Sequence, residues 1–330
     1  MKNQTYRLGR QKPSIINFFE NYFRTNAGIL IAFFLMFATL SILSPSFLTT
    51  KNWINVLRQI SLNATISIGV MLAIMVNGID LTVGAIISLS GCVVAKLISE
   101  YNCSIPVAIV LACLVGVFFG ICNGLIIAYT KMPPFVVTLA MQNICRGSAY
   151  LVADGKPVRL PNEEFEQIGI GYLGPVPYPV IYTLILFIIT FYILNKTRLG
   201  RHIYAVGGNR EAARFSGINN NRVEILVYTF SGFLAAFAGV VFAARMASGQ
   251  PAVGLGYETD AVAASVLGGT SMSGGTGSVG GLVIGVLVIG ILSNGLNLLG
   301  VNPFWQYVAK GIVILIAVYI DMFRKRKQRF

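Results

Sequence analysis

Long apolar runs broken by short polar segments dominate this chain, and their spacing predicts a helical membrane protein. About twenty apolar residues cross a bilayer as a helix. On that measure ten segments stand out, at 27–44, 54–76, 82–99, 105–129, 134–152, 178–195, 223–245, 258–275, 279–299 and 304–321. Gly, Ser and Thr recur inside them, as close packing between membrane helices favours. The longest basic interruption is Thr197–Arg222. It contains a short helix signal: Asn209 as N-cap, two turns over Arg210–Ser216, and Gly217 as the stop. Glu211 in the first turn suits the helix dipole. A helix this short is marginal alone in water, so other groups must hold it.

Composition narrows the class. Hydrophobic residues make up 55% of the 330 positions and charged residues only 11%, with a mean hydropathy of +0.73. A soluble domain carries about a quarter charged residues. The basic N-terminal stretch and the first apolar run show no signal-peptide pattern. Cys92, Cys103, Cys113, Cys122 and Cys145 are odd in number and mostly lie in apolar runs, so they read as small helix residues and not as disulfides or metal ligands.

The net charge of +13 reports topology. Sixteen of the 25 lysines and arginines lie in three places: Lys2 to Arg24, Lys196 to Arg222, and Arg324 to Arg329. Ten spans put all three on one side, and the positive-inside rule makes that side the cytoplasm. The longest loop opposite, 153–177, carries Asp154, Glu163, Glu164 and Glu166 against Lys156 and Arg159. No nucleic-acid partner is expected. Ten spans also divide as five plus five of opposite orientation, which permits an inverted repeat; GIDLTVGAIISLSG (78–91) faintly echoes GYETDAVAASVLGG (256–269).

Few residues suggest chemistry. Asp80, in the run Asn77–Gly84, is a carboxylate at membrane depth and a functional candidate. It either lines a water-filled path or caps the next helix at a turn. Arg146 follows the Pro133-Pro134 helix start and is either a buried partner or interfacial. The small-residue tract Leu267–Gly281 lacks the lysine of a phosphate loop, and no nucleotide-binding signature occurs elsewhere. The single histidine, His202, lies in the basic island, which leaves no serine-histidine pair for an intramembrane protease. No catalytic residue, metal site or cofactor is expected in this chain.

Five blocks in order carry a resemblance: GIDLTVG, PPFVVTLAMQNICRG, TRLGRHIYAVGGNREAARFSGI, GYETDAVAASVLGGTSMSGG and NGLNLLGV. Together they resemble the permease subunits of bacterial ribose-type sugar ABC importers, whose members take ribose, xylose, arabinose, galactose, allose or autoinducer-2; the basic island and NGLNLLGV look nearest the ribose member. The resemblance covers nearly the whole chain apart from its ends. It implies an all-α, type II ABC importer-like permease in the bacterial inner membrane, multi-pass, with both termini cytoplasmic. A cytoplasmic tail (1–26), one transmembrane domain (27–321) with a cytoplasmic coupling loop (196–222) and a periplasmic loop (153–177), and a basic tail (322–330) follow from that topology. The implied partners are a second permease copy, a periplasmic sugar-binding protein, the monosaccharide, the lipid bilayer and a cytoplasmic ATPase that binds the ATP and Mg. The ATPase contact would fall on Gly207, Gly208, Asn209, Arg210, Glu211, Ala212, Ala213, Arg214 and Gly217. Asn77, Asp80, Asn294 and Asn297 are candidates for lining the path. Two rival classes remain: an ion-coupled secondary transporter using Asp80 as a relay, and a scaffold or receptor without transport.

Overall fold

The structure, a computed structural model, describes residues 33–302, 304–312, 315 and 319. The expected tails 1–26 and 322–330, the start of the first span and much of the tenth lie outside the described residues. Helices account for about three-quarters of the described residues. In chain order they are α1 (Phe33–Leu43), α2 (Thr50–Met75), α3 (Val83–Ser99), α4 (Ile105–Thr130), α5 (Pro134–Val152), α6 (Glu163–Ile170), α7 (Tyr178–Lys196), α8 (Arg198–Gly208), α9 (Arg210–Phe215), α10 (Asn220–Met246), α11 (Tyr257–Leu267), α12 (Val279–Leu298) and α13 (304–312). Four two-residue strands form two small pairs, Val158–Arg159 with Ser248–Gly249 and Tyr172–Leu173 with Val176–Pro177.

Local chemistry sets many of the helix ends. Side chains of Thr49, Asn219 and Ser278 cap α2, α10 and α12 by accepting from backbone N–H groups three residues on. Lys131, at φ +58, ends α4 in the left-handed region, and Pro134 opens α5, where a missing N–H does no harm.

Among the described residues, five helices are long and apolar enough to cross a membrane: α2, α4, α7, α10 and α12. α10 is central and packs against α2, α3 and α4. Its seam with α4 is built from small residues. Ala108, Ala112, Gly116, Gly120, Gly124 and Ala128 recur every fourth residue along one buried face of α4, which lets the two backbones approach closely. A Cβ on Gly116 would overlap the Gly232 carbonyl of α10, and a Cβ on Gly232 the Gly116 carbonyl. The opposite face of α4 exposes Val110, Leu114, Phe118 and Leu125, an apolar surface suited to lipid.

The predicted span 258–275 is corrected. Its helix, α11, stops at Leu267 after 11 residues, about 16 Å at 1.5 Å per residue and too short to cross. The Gly/Ser tract then turns through Gly269, Gly274 and Gly275, all at positive φ. α3 is also short, at 17 residues, and follows an irregular segment, 76–82, in which Val76, Gly78, Asp80 and Thr82 are buried and Asn77 is exposed. A long helix, an irregular interior segment and a short helix thus occur twice in succession, as α2 with α3 and as α10 with α11. The second residue of α3, Gly84, sits against Gly254 and Glu258 at the start of α11, so close that a Cβ there would overlap both.

Candidate functional site

The basic island forms two helices. α9 has the capping read from the sequence: Asn209 Oδ1 accepts from Ala212 N–H at 2.9 Å, and Gly217 closes the helix at φ +82. Preceding it is an amphipathic helix, α8, that the sequence reading had left unassigned. Thr197 caps it through Gly200 N–H at 3.2 Å, and Gly200, Ile203, Val206 and Gly207 are buried. The spacing of Leu199, Ile203 and Val206 was the available signal. His202 lies half-buried on this helix.

Few contacts hold α9. Ala213 is buried, Asn220 Nδ2 donates to the Arg210 carbonyl at 2.8 Å, and the Arg210 guanidinium pairs with the buried Glu224 carboxylate. The remainder faces outward: Gly208, Asn209, Arg210, Glu211, Ala212, Arg214 and Gly217 are exposed, and so is Phe215, at 80%. Beside the helix lies a cavity of about 320 Å³, bounded by Asn77, Gly78, Lys131, Pro133, Glu224 and Tyr228.

α8 is tied much more firmly, to the 76–82 segment and to the 268–278 turn. Asn77 Nδ2, from the 76–82 segment, donates to the Gly207 carbonyl at 2.8 Å. Tyr204 OH donates to the Gly277 carbonyl at 2.8 Å, and Gly275 N–H to the Met75 carbonyl at 2.9 Å. Gly207 packs so tightly on Met75 that a Cβ would overlap its carbonyl oxygen. The end of α8, the end of α2 and the 268–278 turn therefore form one joint.

The four path candidates from the sequence do not converge. Asn77 belongs to that joint. Asp80 is fully buried. Its Oδ1 accepts from Thr82 N–H at 3.0 Å and from the Thr82 hydroxyl, and its Oδ2 from Ser231 Oγ at 2.6 Å. Asn123 Nδ2 in turn donates to Thr82 Oγ1 at 3.1 Å. The carboxylate thus fixes the start of α3 to α4 and α10. Asn294 exchanges amide hydrogen bonds with Asn52 of α2, at 2.9 and 3.2 Å. Asn297 accepts from Gln306 of α13 at 2.8 Å.

Arg146, singled out in the sequence, belongs to a larger polar group that only the fold assembles. Thr138, Gln142 and Arg146 recur every fourth residue on α5, which is why α5 has the length of a span, at 19 residues, without its hydropathy. Gln142 Nε2 donates to Glu258 Oε1 at 3.2 Å, and Arg146 Nη1 donates to Ser88 Oγ and the Pro251 carbonyl, both at 3.0 Å, and to the Val253 carbonyl. Arg146 is thus an interior partner, its Nη1 engaged by α3 and by the segment before α11.

Apolar helices with a small-residue seam, interior helix breaks and an exposed basic helix define a polytopic membrane permease subunit, not an enzyme. The family described as "branched-chain amino acid transport system / permease component" matches residues 52–318, and the chain belongs to it. The ribose import permease protein RbsC of Escherichia coli (strain K12) is 45% identical over 297 residues, covering 88% of this chain and 92% of that protein. RbsC of Bacillus subtilis (strain 168) is 46% identical over 296 residues, with 89% and 92% covered. The L-arabinose transport system permease protein AraH of Escherichia coli (strain K12) is 36% identical over 302 residues, with 92% of each covered. No solved structure matches the chain.

Proposed function

We propose that this chain is the membrane subunit of an ATP-driven importer of ribose or a closely related monosaccharide, working as two copies in the bacterial cytoplasmic membrane with both termini inside. A separate ATPase would supply the ATP and Mg chemistry, and a periplasmic binding protein would deliver the sugar. The ribose and arabinose permeases among its relatives support a sugar over the amino acids in the family's description.

The observation that carries this reading is the shape of the basic island. α9 exposes an aromatic flanked by charges, with Arg214 stacked on Phe215 at 5.5 Å from the ring centroid, the composition of a protein-contact hot spot. Behind it, α8 is bonded to the 76–82 segment and to the 268–278 turn. A partner that seats on α9 differently in its ATP-bound and empty states would bias the joint between two arrangements, and only such differential contact can do so. Access to the path would then alternate, with sugar entering from the binding protein and leaving inside.

An ion relay at Asp80 is less well supported, because three donors from Thr82 and Ser231 already occupy its oxygens. The test replaces Glu211 and Arg214 together with alanine. ATPase co-purification is expected to fall about tenfold, as for a hot-spot loss of 1.4 kcal/mol, while the permease still inserts. Co-purification and uptake at wild-type levels would refute the coupling assignment. Uptake that survives loss of the ATPase but collapses with an ionophore would favour the relay.

A further inference from the structure

We propose that Gln142, Arg146 and Glu258, where α5 meets the starts of the short helices α3 and α11, form a contact site for the hydroxyl groups of the transported sugar. This rests on the permease reading above.

The starting point is an electrostatic imbalance. Glu258 and Asp260 both lie in the first turn of α11 and both are at least nine-tenths buried. Asp260 is paired with Lys310 at 2.7 Å. Glu258 has no cationic nitrogen within 4 Å among the described residues, and its Oε2 is buried without a hydrogen-bond partner. Arg146, on the facing helix, is in the complementary position. It has no carboxylate within 4 Å among the described residues, and its Nη2 is likewise buried and unpartnered. The two opposite charges attract one another without a direct ion pair, and charged groups in the interior of a membrane protein mark function by default. Leaving one acceptor and one donor empty on adjacent elements is a poor way to stabilise a fold. It is a sensible way to keep them for a ligand.

The free groups define the ligand chemistry. A carboxylate oxygen accepts a hydroxyl proton, a guanidinium N–H donates to a hydroxyl oxygen, and the amide beside them can do both. Neighbouring hydroxyls of a sugar ring meet such a set. Arg146 Nη1 is already engaged by Ser88 Oγ and the carbonyls of Pro251 and Val253, which leaves Nη2 as the buried free donor, and the choice of a sugar over an amino acid rests on the permease reading. The site is also weak, with one free atom on each charged residue, as passage requires.

Its position fits a path. α5 exposes Asn143 and Gly147 beside the cluster, unfavourable groups to present to lipid. In the conformation described, the two free atoms are covered, so sugar reaches them when α5 shifts off α11. α5 starts at Pro133-Pro134, and Pro133 borders the 320 Å³ cavity beside α9. The helix that would move thus begins next to the element that would drive it.

The test uses the complete importer in liposomes, with its ATPase and binding protein, and measures ribose delivered per ATP hydrolysed for Glu258→Gln and Asn143→Ala. For Glu258→Gln, delivery per ATP is expected to fall about tenfold while stimulated hydrolysis stays within about twofold, since one hydrogen bond to a charged group is lost. The preference for ribose over 2-deoxyribose should fall with it. Asn143→Ala, at an exposed side chain, should assemble normally and lower delivery about threefold, which decides the matter if Glu258→Gln does not assemble. Unchanged delivery, an equal loss of delivery and hydrolysis, or an unchanged sugar preference would each overturn the site. A wild-type complex whose hydrolysis responds to leucine and to no sugar would overturn the sugar reading and the site with it.

Discussion

Asn77→Ala tests whether the joint between α8 and the interior is held as described. The substitution removes the donor that Gly207 O receives at 2.8 Å. A buried carbonyl left without its partner costs about 1–3 kcal/mol. Asn77 also sits at φ +64, where alanine is worse than asparagine by roughly 1 kcal/mol. The two effects together are about 2–4 kcal/mol, or about 30-fold in the attachment equilibrium at the low end. Hydrogen exchange of the purified permease reads this directly, because local opening of α8 need not open the bundle. Amides in 198–208 should lose protection by about 30-fold, while those at the centre of α10 keep theirs. Asn77→Gly, free of the backbone penalty, should lose about fivefold less than alanine. Protection over 198–208 within about threefold of wild type in Asn77→Ala would refute the joint. So would a loss shared equally by every helix, which would mean that Asn77 supports the whole bundle.

Two further substitutions probe the fold. Gly232→Ala should destabilise by at least about 2 kcal/mol, because its methyl would meet the backbone of α4, which cannot yield as a side chain does; thermal unfolding at the wild-type temperature would refute the seam. Asn294→Leu alone should cost about 1–3 kcal/mol by leaving Asn52 unpaired, and Asn52→Leu with Asn294→Leu should recover at least half of that. A double-mutant cycle with no coupling would show that the pair contributes nothing.

What could be read from the sequence was the part decided by near neighbours. The Asn209 cap, the Gly217 stop and the proline start of α5 depend on residues within one turn, and their backbone geometry is as expected. The 258–275 segment misled because hydropathy averages over glycine and serine. Its real end is set by Met75 and Gly207, far off in the chain, which meet the turn at Gly275. The polar candidates failed to converge for the same reason. Asn77, Asp80 and Asn294 stand out in apolar sequence, but their partners Gly207, Ser231 and Asn52 lie 130, 151 and 242 positions away. Local sequence marks a polar group and cannot say whether a partner waits for it. Glu258 and Arg146 are the reverse case: the sequence leaves Arg146 as either a buried partner or interfacial and gives Glu258 no role, and only the fold places them on facing elements with free atoms.

The bond between Asp80 and Ser231 also sets a schedule for biogenesis. A chain made at roughly 5–20 residues per second needs about 8–30 s to cover the 151 residues between them. Throughout that interval the carboxylate lacks its α10 partner, and the glycine face of α4 has nothing to close against. The nascent chain therefore depends on shelter at the insertion machinery until α10 emerges, and a ribosomal pause between α4 and α10 would lengthen its most vulnerable stage.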